Sequence, residues 1–129
     1  MEDFISNEVH ILPTENMPEF IFRPDGTIII RGRGLIGNNP EILEQIFIWI
    51  DTYIQNPAET TYVTLAFEYL NSLSTNVLVT ILKKLLQVIV MSKKIVIQWY
   101  YEDDDADILE RGEYISESFN IPIEFIMIY

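Results

Sequence analysis

An acidic run, Glu102 to Asp105, is the densest group of side chains in the sequence that could take part in chemistry. Asp107 and Glu110 extend it, and clustered carboxylates are the ligands that hard cations such as Mg²⁺ and Ca²⁺ prefer. The run lacks the central glycine and the terminal glutamate of a calcium-binding loop. Because the helix dipole stabilises acidic residues at a helix start, the pattern favours a solvated helix start over a metal site.

General acid–base catalysis near neutral pH relies most on histidine, and His10 is the only histidine in the sequence. It lies in a predicted strand with no nucleophile near it in sequence, which is typical of a structural histidine. A metalloenzyme built on Asp103, Asp104 and Asp107 is disfavoured because no paired histidine or nucleophile accompanies them. The absence of cysteine excludes thiolate nucleophiles. We therefore predict a protein without enzymatic activity, metal or cofactor.

Two glycines in Arg31-Gly32-Arg33-Gly34 follow a predicted strand, a position at which phosphate-binding loops occur. The spacing matches neither the dinucleotide-binding fingerprint nor the P-loop, and the P-loop lysine is missing. Glycine also serves where the backbone needs unusual dihedral angles. The glycines therefore indicate a flexible exit from the strand.

A hydroxyl-rich segment, Tyr69 to Asn76, connects a predicted buried strand to an amphipathic helix. Asn and Ser are strong N-cap residues, so capping alone explains such a composition. A phosphoryl group would also be tolerated at this place, because the positive end of a helix stabilises negative charge. From spacing alone, capping is favoured and a modification site is the alternative.

Three helices and six strands are predicted from the hydrophobic pattern. The first helix carries apolar residues from Ile42 to Ile54, with Asn39 as N-cap and Pro40 at its first position. The second has an apolar stripe from Val77 to Ile89, and the third extends from Ala106 to Phe119. The predicted strands are Val9–Leu12, Glu19–Arg23, Thr27–Arg31, Tyr62–Tyr69, Ile95–Tyr101 and Ile123–Tyr129.

The order β-β-β-α-β-α-β-α-β predicts an α/β fold with a mixed sheet and three crossover helices. We find no internal repeat and no linker long enough to separate two domains, so residues 1–129 are expected to form a single domain.

The formal net charge is −12, from 20 acidic and 8 basic residues. Such a field repels phosphate backbones and anionic lipids, so nucleic acid is not an expected partner. No apolar stretch approaches the roughly 20 residues of a membrane span, and the segment from Met1 to Ser6 does not have the pattern of a secretory signal. A soluble, cytoplasmic protein without membrane insertion is expected.

Several segments together resemble one protein family. They are Phe67-Glu68-Tyr69-Leu70-Asn71-Ser72, Trp99-Tyr100-Tyr101-Glu102-Asp103-Asp104-Asp105, Pro13-Thr14, Phe22 to Gly26, Ile30-Arg31-Gly32-Arg33, Leu109-Glu110 and Gly112-Glu113. Their types and spacing are similar to those of the SiaC family of bacterial regulatory phosphoproteins, whose members resemble the anti-sigma-factor antagonists of the STAS class in architecture. The resemblance covers nearly the whole chain and implies a STAS-like fold.

The resemblance also implies a function. In that family a hydroxyl residue directly after a Leu-Asn or Phe-Asn pair is phosphorylated by a Ser/Thr protein kinase and dephosphorylated by a PP2C-type phosphatase. That position is Ser72 here. In that family the unmodified form binds and activates a diguanylate cyclase, so the resemblance implies control of cyclic-di-GMP and biofilm formation.

Two places differ from the family pattern. Leu73 stands where further small hydroxyl residues are usual, which makes Ser74 the alternative phosphorylation site. The loop from Gly34 to Asn38 also departs from the family's Ser-x-Pro-Glu-Asn type, so contacts made by that loop are expected to differ.

The resulting hypothesis is a non-enzymatic, partner-switching phosphoprotein. The expected partner-binding residues surround the modified serine: Tyr69, Leu70, Asn71, Ser72, Leu73 and Asn76. The rival hypothesis is a constitutive interaction or scaffold domain in which this segment only caps the helix.

Overall fold

A six-stranded mixed sheet forms the centre of the computed structural model, which describes residues 7–34 and 39–129. The strands lie in the sheet in their order along the chain. β1 and β2 pair antiparallel, as do β2 and β3, whereas β3 to β6 are all parallel. Their bounds are β1 Val9–Ile11, β2 Glu19–Phe22, β3 Thr27–Gly34, β4 Thr60–Leu70, β5 Lys94–Glu102 and β6 Glu124–Ile128.

A helix connects each pair of parallel strands. The helices are α1 Pro40–Tyr53, α2 Ser72–Leu85 and α3 Ala106–Phe119. A 3₁₀ helix, Leu86–Met91, directly continues α2. The predicted α/β fold with a mixed sheet and three crossover helices is therefore confirmed.

Local capping explains where α1 begins. The Asn39 side chain accepts a hydrogen bond from the Ile42 backbone N–H at 3.2 Å, and Pro40 is the first helical residue. Proline is tolerated there because its missing N–H would have no partner within the helix. The predicted helix start is confirmed.

The end of β3 differs from the prediction. The strand continues through both glycines to Gly34 and pairs with Phe67, Tyr69 and Leu70 of β4, with an irregularity after Gly32. Gly32 has a φ of 115°, which L side chains rarely adopt. The glycines therefore permit an irregular strand end, and the prediction that the strand ends at Arg31 is wrong.

The three helices pack side by side on one face of the sheet, and the core lies between them and the strands. Alternate β4 residues Val63, Leu65 and Phe67 are buried in this core. The residues between them face the other side, where Tyr62 is 56% exposed. No helix in the described part of the chain covers this second face.

The segment Ser72–Met91 is 20 residues long and apolar enough to cross a membrane by length and composition alone. No stretch of that length is expected from the sequence, because polar residues such as Lys83, Lys84 and Gln87 interrupt the apolar ones. Leu78, Ile81, Leu82 and Leu85 of this segment are fully buried in the core. Packing of this segment on the sheet therefore explains its apolar character.

Residues 1–6 and 35–38 lie outside the described residues. The prediction about the N-terminal segment and the one about the loop before α1 both fall there.

Candidate functional site

A cleft of about 560 Å³ lies where β4 ends and where α2 and α3 begin. It is lined by Glu68, Tyr69, Leu70, Ser72, Thr75, Asn76, Asp105, Asp107, Ile108, Glu110, Arg111 and Tyr114. In open α/β sheets, ligands bind beyond the carboxyl ends of the parallel strands, and this cleft has that position. The hydroxyl-rich segment and the acidic run, which are far apart in sequence, therefore meet.

Asn71 is the N-cap of α2. Its side-chain oxygen accepts a hydrogen bond from the Ser74 backbone N–H at 2.8 Å, and its backbone carbonyl accepts one from the Thr75 hydroxyl at 2.8 Å. Because Asn71 provides the cap, Ser72 is the first residue of the helix and its hydroxyl is not needed for capping.

The hydroxyl residues of this segment differ strongly in exposure. Ser72 is exposed and lines the cleft. The relative exposure of Ser74 is 0% and that of Thr75 is 3%. Among these three residues, only Ser72 has a side chain that another protein can reach without opening the helix start.

The end of β4 forms one side of the cleft. The guanidinium of Arg33, on the neighbouring strand β3, lies 5.7 Å from the centre of the Tyr69 ring, within the range of a cation–π interaction. Gly34 lies so close to the end of β4 that an added Cβ would be 2.5 Å from the Leu70 side chain and 2.8 Å from the Tyr69 carbonyl oxygen. The close pairing of β3 with β4 therefore fixes the backbone just before Ser72.

The start of α3 forms the opposite side. Asp105 caps this helix by accepting a hydrogen bond from the Ile108 backbone N–H at 3.1 Å. The buried Trp99 indole on β5 donates a hydrogen bond to the Ile108 carbonyl at 3.1 Å. This bond ties the first turn of α3 to the sheet and thereby holds the cleft-lining carboxylates in place.

The cleft is acidic. Glu68, Asp105, Asp107 and Glu110 contribute carboxylates, and Arg111 contributes the only cation among the residues that line it. No three His, Asp or Glu side chains in the described ranges are grouped so that they could hold a metal ion. Asp105 acts as the helix cap that the sequence analysis favours for the acidic run.

The predicted partner-binding residues occupy different positions in the structure. Tyr69, Leu70, Ser72 and Asn76 line the cleft, whereas Asn71 caps the helix. Leu73 is not among the lining residues and is 53% exposed.

Sequence reasoning missed the contribution of α3 to the site, in particular Arg111 and Tyr114. The signal that could have found it is topological. Helices that follow two neighbouring parallel strands begin at the same edge of the sheet.

His10 lies far from this cleft on the antiparallel part of the sheet. Its Nε2 is 2.7 Å from Glu19, which also accepts a hydrogen bond from Arg31 Nε at 2.6 Å. These two hydrogen bonds hold the pKa of the Glu19 carboxyl below its ordinary value, and the bond from Arg31 has the larger effect. The structure therefore places His10 in a polar surface cluster.

No curated protein sequence matches the chain significantly. A chain from the crystal structure of the diguanylate cyclase SiaD in complex with its activator SiaC from Pseudomonas aeruginosa matches with a TM-score of 0.80 at 20% identity. The match covers 93% of this chain and 99% of that chain.

A second structure, SiaC of Pseudomonas aeruginosa, matches with a TM-score of 0.80 at 20% identity over 95% of this chain and 99% of that one. Apo-SiaC from the same organism matches with a TM-score of 0.79 at 21% identity over 93% of this chain and 98% of that one. At these identities the structures establish the shared fold. The family model for SiaC family regulatory phosphoproteins matches residues 11–128. The chain therefore belongs to the SiaC family of regulatory phosphoproteins.

Proposed function

We propose that this chain is a non-enzymatic partner-switching protein controlled by reversible phosphorylation of Ser72. A Ser/Thr protein kinase adds the phosphoryl group and a PP2C-type phosphatase removes it. The unmodified form binds and activates a diguanylate cyclase in the cytoplasm and so raises cyclic-di-GMP. The observation that carries the proposal is an exposed hydroxyl at the first residue of α2, on the cleft of a regulatory phosphoprotein family member.

The choice of Ser72 over Ser74 is supported by accessibility. A kinase must bring the hydroxyl into its own active site, and Ser74 has a relative exposure of 0%. The choice is also supported by the division of roles at the helix start, because Asn71 keeps the cap when Ser72 is modified.

A phosphoryl group on Ser72 adds a charge of about −1.5 to −2 and three acceptor oxygens. The start of α2 tolerates this charge because a helix N-terminus carries roughly half a positive charge. A partner packed against the same surface must instead desolvate a dianion, which is costly. The modification therefore preserves the fold and removes the partner.

A partner surface around Ser72 is supported by its exposed side chains. Tyr69, Leu73 and Tyr114 are 47%, 53% and 53% exposed. Aromatic residues near the centre of an interface commonly contribute most of the binding free energy. The proposed contact surface therefore includes Tyr69, Ser72, Leu73 and Asn76 of the residues predicted from sequence and adds Tyr114 from α3. Leu70, which is only 3% exposed, and the cap residue Asn71 hold this surface in position.

The modification is tested by intact-mass analysis and phosphopeptide mapping of protein purified from its native host. We expect one phosphate, on Ser72. Phosphate on Ser74 or Thr75 alone would contradict the assignment of the site and keep the switch.

The switch is tested by a pull-down and by cyclic-di-GMP synthesis of the captured cyclase. Ser72→Ala should capture and activate the cyclase as wild type does, and Ser72→Glu should weaken capture. Ser118→Glu is the matched control, because Ser118 is exposed near the opposite end of α3. If native protein is never phosphorylated and Ser72→Glu captures the same partners as wild type, the scaffold hypothesis replaces the switch.

A further inference from the structure

Arg111 is the one cation among the residues that line the Ser72 cleft. It is half-buried on α3, and carboxylates of Glu68, Asp105 and Glu110 line the same space. Asp107 precedes Arg111 by four residues, a spacing at which an acid and an arginine on a helix commonly pair. Even so, Arg111 forms no ion pair with any residue in the described part of the chain.

Most of the other basic side chains differ from Arg111 because they have a partner. Six of the eight contact a carboxylate or an aromatic ring: Arg23, Arg31, Arg33, Lys83, Lys84 and Lys93. Lys94 also has no such partner among the described residues. It is exposed and lies at the opposite end of the sheet, where β5 begins. Arg111 is therefore the half-buried guanidinium whose donors are available at the cleft.

Phosphorylation of Ser72 creates an electrostatic problem that Arg111 can solve. About −1.5 to −2 charges would enter a space already lined by four carboxylates. The N-terminus of α2 offsets only roughly half a charge. A guanidinium presents a planar set of donors that binds two phosphate oxygens at once, and it keeps its charge at all physiological pH values.

We propose that Arg111 receives the phosphoryl group of Ser72 and holds it inside the cleft. This inference rests on the proposed function, because it concerns the modified state of that same site. The phosphoryl group bridges the start of α2 to α3 and occupies the space between Tyr69 and Tyr114. Phosphorylation then removes the partner by filling its binding cleft, and Arg111 determines where the phosphate lies.

The test uses full-length protein with phosphoserine incorporated at position 72 by codon suppression, so that no kinase is needed. Arg111→Gln removes the charge, Arg111→Lys keeps the charge without the planar donors, and Lys94→Gln is the matched control. Circular dichroism confirms that each variant is folded. ³¹P NMR then follows the titration of the phosphoserine in each protein.

The charged residues that line the cleft are Glu68, Asp105, Asp107, Glu110 and Arg111, and the guanidinium of Arg33 lies 5.7 Å from the centre of the Tyr69 ring. The tyrosines Tyr69 and Tyr114 also line the cleft. The carboxylates raise the second pKa of the phosphate and an adjacent guanidinium lowers it, since a nearby opposite charge typically changes a pKa by about 1–3. We expect Arg111→Gln to raise this pKa by about 1 or more. Arg111→Lys should give an intermediate value and Lys94→Gln should leave it unchanged.

A second signal reports the contact directly. The Nε–H resonance of Arg111 should move on comparison of unmodified with phosphorylated wild-type protein. An unmoved resonance together with equal phosphoserine pKa values in wild type and Arg111→Gln would overturn the inference. That failure is distinct from failure of the switch, which is decided by phosphopeptide mapping of native protein.

Discussion

Asn71 and Ser72 are adjacent at the start of α2 and have different roles there. The Asn71 side chain accepts the hydrogen bond from the Ser74 N–H, and Ser72 is exposed and lines the cleft. A capping side chain satisfies a backbone donor that has no partner within the helix. Stability therefore depends on Asn71, whereas the proposed modification depends on Ser72.

This division predicts unequal effects of two alanine substitutions. Asn71→Ala should lower the free energy of unfolding by about 0.5–2 kcal/mol, because the cap is lost. Ser72→Ala should change it by no more than about 0.5 kcal/mol, as is usual for surface substitutions. Urea denaturation of the two variants measures both values. Equal losses in the two variants would mean that Ser72 takes part in the cap.

Glu19 gives a pH prediction, because its bonds to Arg31 and His10 hold the carboxyl pKa below the ordinary value of 4.5. The folded-state pKa is then lower than the unfolded-state pKa, so the cluster stabilises the protein above pH 4.5. This contribution is lost as the pH falls through the folded-state pKa. Unfolding midpoints of wild type should therefore decrease more steeply with acidification than those of Glu19→Gln.

Glu44→Gln is the control for this measurement. Glu44 is exposed on α1 and forms no ion pair with any described residue. Its pH profile should follow that of wild type. A Glu19→Gln profile as steep as wild type would show that the cluster does not contribute.

At the scale of elements, the position of α3 decides the shape of the cleft. Gly112 faces the sheet, and a Cβ at this residue would lie 2.6 Å from the Trp99 ring and 2.8 Å from the Phe125 ring. Such contacts are far shorter than van der Waals separation. The absence of a side chain therefore lets α3 approach β5 and β6 closely.

Gly112→Ala is accordingly expected to destabilise the protein, although alanine is the better helix former by about 1 kcal/mol. Forcing a methyl group against two rings typically costs about 1–3 kcal/mol. Ser118→Ala, on the exposed side of the same helix, should be neutral within about 0.5 kcal/mol. Thermal and urea unfolding of both variants measure the difference. A Gly112→Ala protein more stable than wild type would mean that propensity dominates and the contact relaxes.

Local signals predict helix starts well in this chain. The Asn39 and Asp105 caps depend on hydrogen bonds to residues three positions away, so their sequence neighbourhood contains the cause. The side of the cleft formed by α3 depends instead on the Trp99 indole reaching Ile108 from a strand. Packing of that kind depends on the register of strands and helices, and periodicity in one segment does not determine it.

The glycines of β3 show the same limit. Glycine weakens strand propensity, which is why the sequence predicts that the strand ends before them. In the structure the strand continues, because glycine has no side chain and Gly34 can therefore lie close to the Tyr69 carbonyl and the Leu70 side chain of β4. Parallel pairing with a distant segment overrides the local preference.

At the scale of the whole molecule, all three helices cover one face of the sheet and the net charge is −12. A charge of that size favours solubility and accelerates the encounter with a basic surface. It also offers a rival explanation for the switch. Adding a phosphate to an already acidic molecule would release an acidic partner through general repulsion, independently of where the phosphate lies.

Salt separates the two explanations. The Debye length is about 10 Å at 0.1 M ionic strength and about 3 Å at 1 M, so repulsion between distant exposed charges is screened at high salt. A phosphate that fills the cleft between Ser72 and Arg111 blocks the partner by occupying space, which salt does not change. We expect the ratio of cyclase affinities for unmodified and Ser72-phosphorylated protein to remain nearly constant between 0.1 M and 1 M salt, even if both affinities fall. Titration calorimetry at the two salt concentrations measures this ratio, with Ser118→Glu as the control for added charge outside the cleft. A ratio that collapses towards one at 1 M salt would show that repulsion, and not occupation of the cleft, releases the partner.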